Sequence, residues 1–122
     1  MLENTSLNII ENLNVKLQLT PYQINQLKKV LKYLHKDDIL YPGALKAKLN
    51  LDIKIIYNML EYMVKDNILE RNYELYCSDC EKFKGKIVKS LNDIPEFYCD
   101  FCNEELNPLE DSIVIYRVII NE

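Results

Sequence analysis

The chain has 122 residues, of which 48% are hydrophobic, and it contains only two glycines and four prolines. This composition excludes a low-complexity chain and suits one modest core, or two very small ones if something such as a metal stabilises the second. The net charge is −4, whereas a protein that binds nucleic acid by itself is usually strongly basic.

The first residues, MLENTSLNIIENLN, lack the basic start and the unbroken apolar stretch of a secretory signal. No stretch of the sequence approaches membrane-spanning length either. We therefore expect a cytoplasmic protein with no membrane contact, in which thiols stay reduced. In that compartment a regular cysteine pattern indicates a metal more often than disulfides.

The amino-terminal segment, residues 1–19, is predicted to contain an edge strand. Residues 12–19, NLNVKLQL, alternate polar and apolar side chains, which is the pattern of a half-buried strand. The alternative is an amphipathic helix over residues 2–14, because Leu7, Ile10 and Leu13 also share a helical face.

A helix is predicted to begin at Pro21, because Thr20 and Gln23 form a capping box around a proline in the first turn. Its apolar residues recur at helical spacing to about residue 36. A short extended piece then spans residues 39–41, and Pro42 opens a brief second helix that carries Leu45 and Leu49.

A third helix is predicted after Asp52, which can cap it, and Asn67 is a plausible left-handed terminator. Its broad apolar face is formed by Ile55, Ile56, Met59, Leu60, Met63 and Val64. Two short apolar runs follow and flank Arg71-Asn72, which has the length of a hairpin turn. We therefore predict a two-stranded wing.

The order helix, short strand, helix, helix, hairpin makes residues 20–76 resemble a winged-helix domain. The phrase LDIKIIYNMLEYMVKDNILERNYELY is similar to that family's third helix running into its wing. The resemblance is one of pattern and covers nearly half the chain.

The strongest signal in the chain is a pair of Cys-x-x-Cys motifs. CSDC places Cys77 and Cys80 in one motif, CDFC places Cys99 and Cys102 in the other, and 18 residues separate them. Two such turns can complete the tetrahedron of sulfur ligands that Zn²⁺ accepts. We predict one structural zinc ion. A mononuclear iron site of the rubredoxin kind, and free or disulfide-bonded cysteines, remain alternatives, since thiolates also suit iron.

Residues 77–122 resemble a zinc ribbon with an added carboxyl-terminal strand. Residues 83–90 and 94–98 are predicted to be the strands that bring the two cysteine turns together. Many ribbon turns place glycine after the second cysteine to accept a positive φ, whereas Glu81 and Asn103 stand there in this chain.

The β-branched run of residues 113–120 indicates a strand covered on both faces, which we expect to pair with the ribbon strands or with residues 13–19. The predicted fold class is therefore α+β, a three-helix winged helix with a wing, a zinc ribbon and terminal strands.

Nothing in the sequence points to an enzyme. Four thiolates close the coordination sphere and leave no position for an activated water. The single histidine, His35, is predicted to be a solvated or capping residue near a helix end, because it has no partners for nucleophilic or metal catalysis. No small-molecule substrate is expected.

The winged-helix resemblance implies a macromolecule-binding surface on the third helix and the wing. Asn58 would read adenine, and lysines would hold phosphates. Tyrosines on the same helix instead offer the amphipathic contact area that protein interfaces favour. The predicted contact residues are Lys46, Lys48, Lys54, Tyr57, Asn58, Tyr62, Lys65 and Arg71.

A winged helix followed by a zinc ribbon resembles the amino-terminal half of the general transcription factor E family, which docks on polymerase. It also resembles small winged-helix adaptor proteins of bacterial operons. These resemblances imply a non-enzymatic adaptor that docks on a larger protein subunit, in a complex that handles nucleic acid. The alternative functions are an autonomous DNA-binding transcriptional regulator and a rubredoxin-like electron carrier.

Overall fold

A computed structural model describes residues 1–77, 79–93, 98–99, 102–107 and 110–122. Over this part of the chain the protein is an α+β mixture of four α-helices and one four-stranded sheet. The helices are α1 Glu3–Leu17, α2 Pro21–Lys32, α3 Pro42–Leu49 and α4 Ile53–Lys65. The strands are β1 Ile39–Leu40, β2 Leu69–Cys77, β3 Lys82–Val88 and β4 Ser112–Val118, and a single 3₁₀ turn covers Leu91–Asp93.

The chain divides into two compact units. The helical unit comprises Met1–Glu70 and Tyr116–Glu122, and the cysteine unit comprises Arg71–Ile115. None of the described helices is both long and apolar enough to cross a lipid bilayer.

The amino-terminal strand prediction is wrong, because residues 3–17 form helix α1. Ile9, Ile10 and Leu13 share one helical face and are buried, where α1 packs against α2 and α4. A strand would have buried Val15, which is 82% exposed. The helical alternative over residues 2–14 therefore describes the segment better.

Helix α1 is held at both ends by specific hydrogen bonds. Gln18 ends it in the left-handed conformation, with φ 52°, and donates its N–H to the Asn14 carbonyl. At the start, Leu2 donates its N–H and Thr5 its hydroxyl to the carboxylate of Glu122, each at 2.9 Å. Glu122 thus caps the positive end of the helix in place of a local side chain.

The capping box at the start of α2 is confirmed. The Thr20 hydroxyl accepts from the Gln23 N–H, and the Gln23 side chain accepts from the Thr20 N–H. The helix ends at Lys32, about one turn before the predicted boundary at residue 36, and Tyr33 is its C-cap. His35 lies beyond the helix and donates its backbone N–H to the Asp38 carboxylate.

Helices α3 and α4 begin at the predicted positions. Pro42 is in the first turn of α3, which Asn50 terminates in a left-handed conformation. Asp52 is the N-cap of α4, although its side chain makes no capping hydrogen bond. Asn67, with φ 61°, takes the left-handed conformation predicted for it. The buried face of α4 consists of Ile56, Met59, Leu60 and Met63.

The sheet has the strand order β1-β4-β2-β3. Ile39 and Leu40 of β1 pair antiparallel with Arg117 and Tyr116 of β4. The carboxyl-terminal run is thus an interior strand, as its apolar sequence predicts. The expected pairing with residues 13–19 is wrong because those residues belong mostly to α1, and the neighbours of β4 are β1 and β2, not the ribbon strand predicted over residues 83–90.

The predicted wing turn at Arg71-Asn72 is also wrong. Both residues lie inside β2, which continues to Cys77 and pairs antiparallel with β3. Asn72 is only 3% exposed, whereas a wing tip would face solvent. The hairpin turn therefore falls at the first cysteine motif, after Cys77 instead of after Glu70.

The predicted strand over residues 83–90 is present as β3. Of the second predicted ribbon strand, residues 94–97 lie outside the described part of the chain. Tyr98, the last residue of that segment, pairs with Glu105 in an antiparallel bridge around the second cysteine motif.

Candidate metal centre

The first cysteine motif occupies the hairpin turn between β2 and β3. Cys77 is the last residue of β2, and Cys80 lies in the turn that follows. Glu81 leaves this turn with φ 55°. The chain therefore adopts the positive φ that a glycine would accept more easily, and does so with a glutamate.

The second motif is closed by its own backbone hydrogen bonds. Cys99 donates its N–H to the Glu104 carbonyl and accepts from the Asn103 N–H, both at 2.8 Å. Asn103 takes φ 60°, which asparagine tolerates better than most residues. The two motifs therefore share one feature, a left-handed residue directly after the second cysteine.

The four cysteine sulfurs converge on one point. All four Sγ atoms lie within 4.8 Å of one another. The Sγ atoms of Cys77 and Cys102 are 3.6 Å apart, and those of Cys80 and Cys99 are 3.4 Å apart. A tetrahedral metal with bonds of about 2.3 Å to sulfur requires sulfur–sulfur distances of about 3.8 Å. The four cysteines therefore fit a single metal ion.

The arrangement does not suit disulfides. The cysteines are free thiols, and a disulfide would require a sulfur–sulfur distance of about 2.0 Å. The contacts of 3.6 Å and 3.4 Å each join cysteines from different motifs, so both motifs contribute to one cluster.

The cluster is buried on one side and accessible on the other. Cys77 and Cys99 are each 1% exposed and pack with Leu106 in a small apolar core, with Cys80 against it. Cys102 is exposed. A metal bound here would hold together a unit whose own apolar core is small, so binding energy would also be folding energy.

Two thiols of the cluster favour their protonated form when no cation is present. Burial raises the pKa of Cys80 to about 12, and hydrogen bonds and charge from Cys77 and Cys99 add to this effect. For Cys102, the Glu104 backbone N–H lowers the pKa, but burial and the neighbouring thiols outweigh it, so the pKa lies above the ordinary value. A metal would therefore have to displace protons from these thiols, and its charge would then stabilise the thiolates.

The donor set is purely sulfur among the described residues. Thiolate ligands select zinc or iron over magnesium and calcium. Of these, zinc fits most directly, since four-cysteine sites of this spacing are its usual structural form.

The predicted macromolecule-binding residues fall on three elements. Lys46 and Lys48 are exposed on α3, and Lys54, Asn58 and Lys65 are exposed on α4. Arg71 is exposed on β2 in the cysteine unit. The lysines and Asn58 therefore belong to one unit, whereas the proposed wing contact belongs to the other.

The two tyrosines of α4 are half-buried and engaged within the helical unit. The Tyr57 ring packs against Tyr116, with centroids 6.5 Å apart. The Lys16 ammonium of α1 lies 4.1 Å from the centroid of the Tyr62 ring, a cation–π contact. Tyr57 is thus partly a packing residue, whereas Tyr62 lies at the edge of an open groove.

Sequence reasoning missed that groove, which runs between α1 and α4. Its volume is about 310 Å³, and it is lined by Leu13, Lys16 and Leu17 together with Asn58, Glu61, Tyr62 and Lys65. The spacing of Leu7, Ile10 and Leu13 indicates that this segment is a helix, but it does not indicate that the helix packs against α4.

Comparison with known proteins gives no assignment: no family model, no curated protein and no solved structure matches this chain.

Proposed function

We propose that this protein is a non-enzymatic recognition module that holds one structural zinc ion through Cys77, Cys80, Cys99 and Cys102 and docks on a larger protein. The observation that carries the proposal is the convergence of four cysteine sulfurs within 4.8 Å of one another. Four thiolates would complete the coordination of the ion and leave no site for an activated water, so the metal would stabilise the cysteine unit instead of performing chemistry.

Native mass spectrometry tests the metal. We expect one zinc ion per chain and a colourless protein, with the zinc lost from Cys99→Ser. An iron–thiolate absorption band in the purified protein would favour the electron-carrier alternative, and correctly folded protein with no metal would reject the site.

The element order supports a winged-helix interpretation of the helical unit. Helix α2, strand β1 and helices α3 and α4 follow one another as in that family, and β2 and β4 complete the sheet. Along the chain, the two cysteine motifs fall between the end of β2 and the start of β4.

The surroundings of α4 support protein docking over DNA reading. Helix α1 packs against α4, and Lys16 covers part of the Tyr62 ring, which leaves less of α4 free to enter a major groove. Glu61 adds a carboxylate to the same surface. A half-exposed tyrosine beside a groove is the kind of side chain that anchors protein contacts.

The docking proposal is tested by purifying tagged protein from its native cells and asking whether one larger subunit accompanies it in stoichiometric amount. Tyr62→Ala is expected to lose that subunit, while Tyr22→Ala, an exposed tyrosine on α2, should retain it. If both variants retain the larger subunit, Tyr62 of α4 is not part of the docking interface.

The DNA-binding alternative makes a different prediction. It would rest on Lys46, Lys48, Lys54 and Lys65, with Asn58 reading a base. If the protein shifts duplex DNA at about 0.1 M salt and the affinity falls steeply as salt rises, and if Lys46→Glu with Lys54→Glu abolishes the shift, the regulator interpretation replaces the adaptor.

A further inference from the structure

A second concave surface lies on the helical unit and shares only Lys48 with the contact residues named above. Helices α2 and α3 and strand β1 enclose a groove of about 300 Å³. We call it the α2–α3 groove; its lining consists of Val30, Tyr33, Leu34, Ile39, Leu40, Tyr41, Ala44 and Leu45 together with Lys29 and Lys48. We propose that the α2–α3 groove binds a short segment of the partner protein in which an apolar anchor is flanked by acidic side chains. The inference rests on the docking function proposed above and names the chemistry of the docked segment.

The lining of the groove suits an apolar anchor. Its lining includes Leu34, Leu40 and Leu45, which are only 5–8% exposed. Tyr33 and Tyr41 also line it and are 69% and 38% exposed. Ordinary ligand pockets begin at about 300 Å³, so the groove has room for one or two side chains. Exposed tyrosines around an apolar depression are typical of the anchor pockets of protein interfaces.

The positive charge of α2 and α3 favours acidic residues on either side of the apolar anchor in the partner segment. Helices α2 and α3 carry five lysines and no acidic residue, although the chain as a whole has a net charge of −4. Among the described residues, no carboxylate lines the groove. A third ammonium, that of Lys32, lies 5.5 Å from the centroid of the Tyr33 ring.

The nearest carboxylates in sequence are already engaged. Asp37 pairs with Arg117, and Asp38 accepts the His35 backbone N–H. Neither carboxylate is in an ion pair with a lysine of the groove among the described residues, and acidic side chains on a partner would be attracted to the lysines that line the apolar depression.

Two other occupants fit less well. A second copy of this chain docked groove to groove about a two-fold axis would set five lysines against five lysines. A nucleic acid could place phosphates on Lys29 and Lys48, but its bases would bury polar edges against leucine side chains that offer no hydrogen bonds. An acidic peptide with an apolar anchor satisfies both the charge and the lining.

Selection from a library of short random peptides displayed on phage, with the intact zinc-loaded protein as bait, tests the proposal without assuming a sequence. Selected peptides, made with a fluorescent label, are then measured by anisotropy. We expect an aromatic or aliphatic residue next to Asp or Glu, and weaker binding as salt rises.

Three variants locate the binding site. Ala44→Arg fills the groove from an exposed helical position and should abolish binding of the selected peptides. Lys48→Glu should weaken it by about tenfold. Lys46→Glu makes the same charge change on the same helix outside the lining and should leave affinity within about twofold. Thermal melting of each variant verifies that it is folded.

The proposal is overturned if the library yields no binding peptide, if the selected peptides lack acidic residues, or if they bind Ala44→Arg as well as the wild type. It is also overturned if duplex DNA displaces the peptide, or if the wild-type protein is a dimer that Ala44→Arg dissociates.

Co-purification distinguishes failure of the groove proposal from failure of the docking function. If Ala44→Arg retains the larger subunit and Tyr62→Ala loses it, the groove is wrong and docking stands. If selected peptides bind as expected but no subunit co-purifies, docking on a larger subunit falls and the groove stands.

Discussion

Replacing the cysteines by serine one at a time distinguishes a buried ligand of the metal site from an exposed one. Cys99 is 1% exposed and packs with Leu106, whereas Cys102 is exposed. Both variants lose one of four sulfur ligands. If a structural site contributes about 10–16 kcal/mol in total, one ligand corresponds to roughly 3 kcal/mol, which is common to both variants.

The two variants should differ because of the serine hydroxyl. At position 99 the hydroxyl would be taken out of water beside an apolar core, at a cost of about 1–3 kcal/mol. At position 102 it stays solvated. Cys99→Ser should therefore bind zinc about 5- to 150-fold more weakly than Cys102→Ser.

Competition titrations against a chromophoric chelator at neutral pH measure both affinities. Cys77→Ser, at a second buried corner, should behave like Cys99→Ser. Equal losses at positions 99 and 102, or a larger loss at 102, would refute the assignment of a buried and an exposed side to the centre.

Three further predictions concern stability and proton competition. Gln18→Gly should raise the free energy of unfolding by about 0.5–1 kcal/mol in urea titrations, because glycine accepts φ 52° without strain, whereas Lys28→Gly in the interior of α2 should lower it by about as much. Glu122→Ala removes the carboxylate that caps α1 and should lower stability by about 1–2 kcal/mol, while Glu110→Ala, an exposed glutamate of the cysteine unit, should change it little. Zinc affinity should fall as pH drops from about 8 to 6, because protons compete for the thiolates, and a pH-independent affinity would contradict thiolate ligation.

Local signals predicted α2, α3 and α4 because their boundaries are fixed by nearby residues. The Thr20 capping box, Pro42 and Asn67 act within a turn or two of their own positions. The strand prediction for residues 12–19 failed because alternation was counted over a window in which helical spacing also fits. Packing against α2 and α4 decides between the two patterns, and no short window contains that information.

The wing and the partners of the last strand were beyond local reasoning. Arg71-Asn72 is polar enough for a turn, yet Asn72 is buried inside β2. The extended conformation of these two residues depends on the pairing of β2 with the other strands of the sheet. The apolar run of β4 predicts an interior strand but not that β1 is its neighbour. The metal site needed no such information, because the spacing within each cysteine motif already fixes how two sulfurs share an ion.

The position of the cysteine unit in the chain has a kinetic consequence. Strand β4 pairs with β2, but 34 residues separate them, whereas only nine lie between Cys102 and the start of β4. Once an ion joins Cys102 to Cys77 at the end of β2, the loop that must close is the short one, which reduces the entropy of closure by about 1 kcal/mol. Metal supply in the cell would then govern how fast newly made chains assemble their sheet, and scarcity would leave the interior strand β4 exposed to misassembly with other chains.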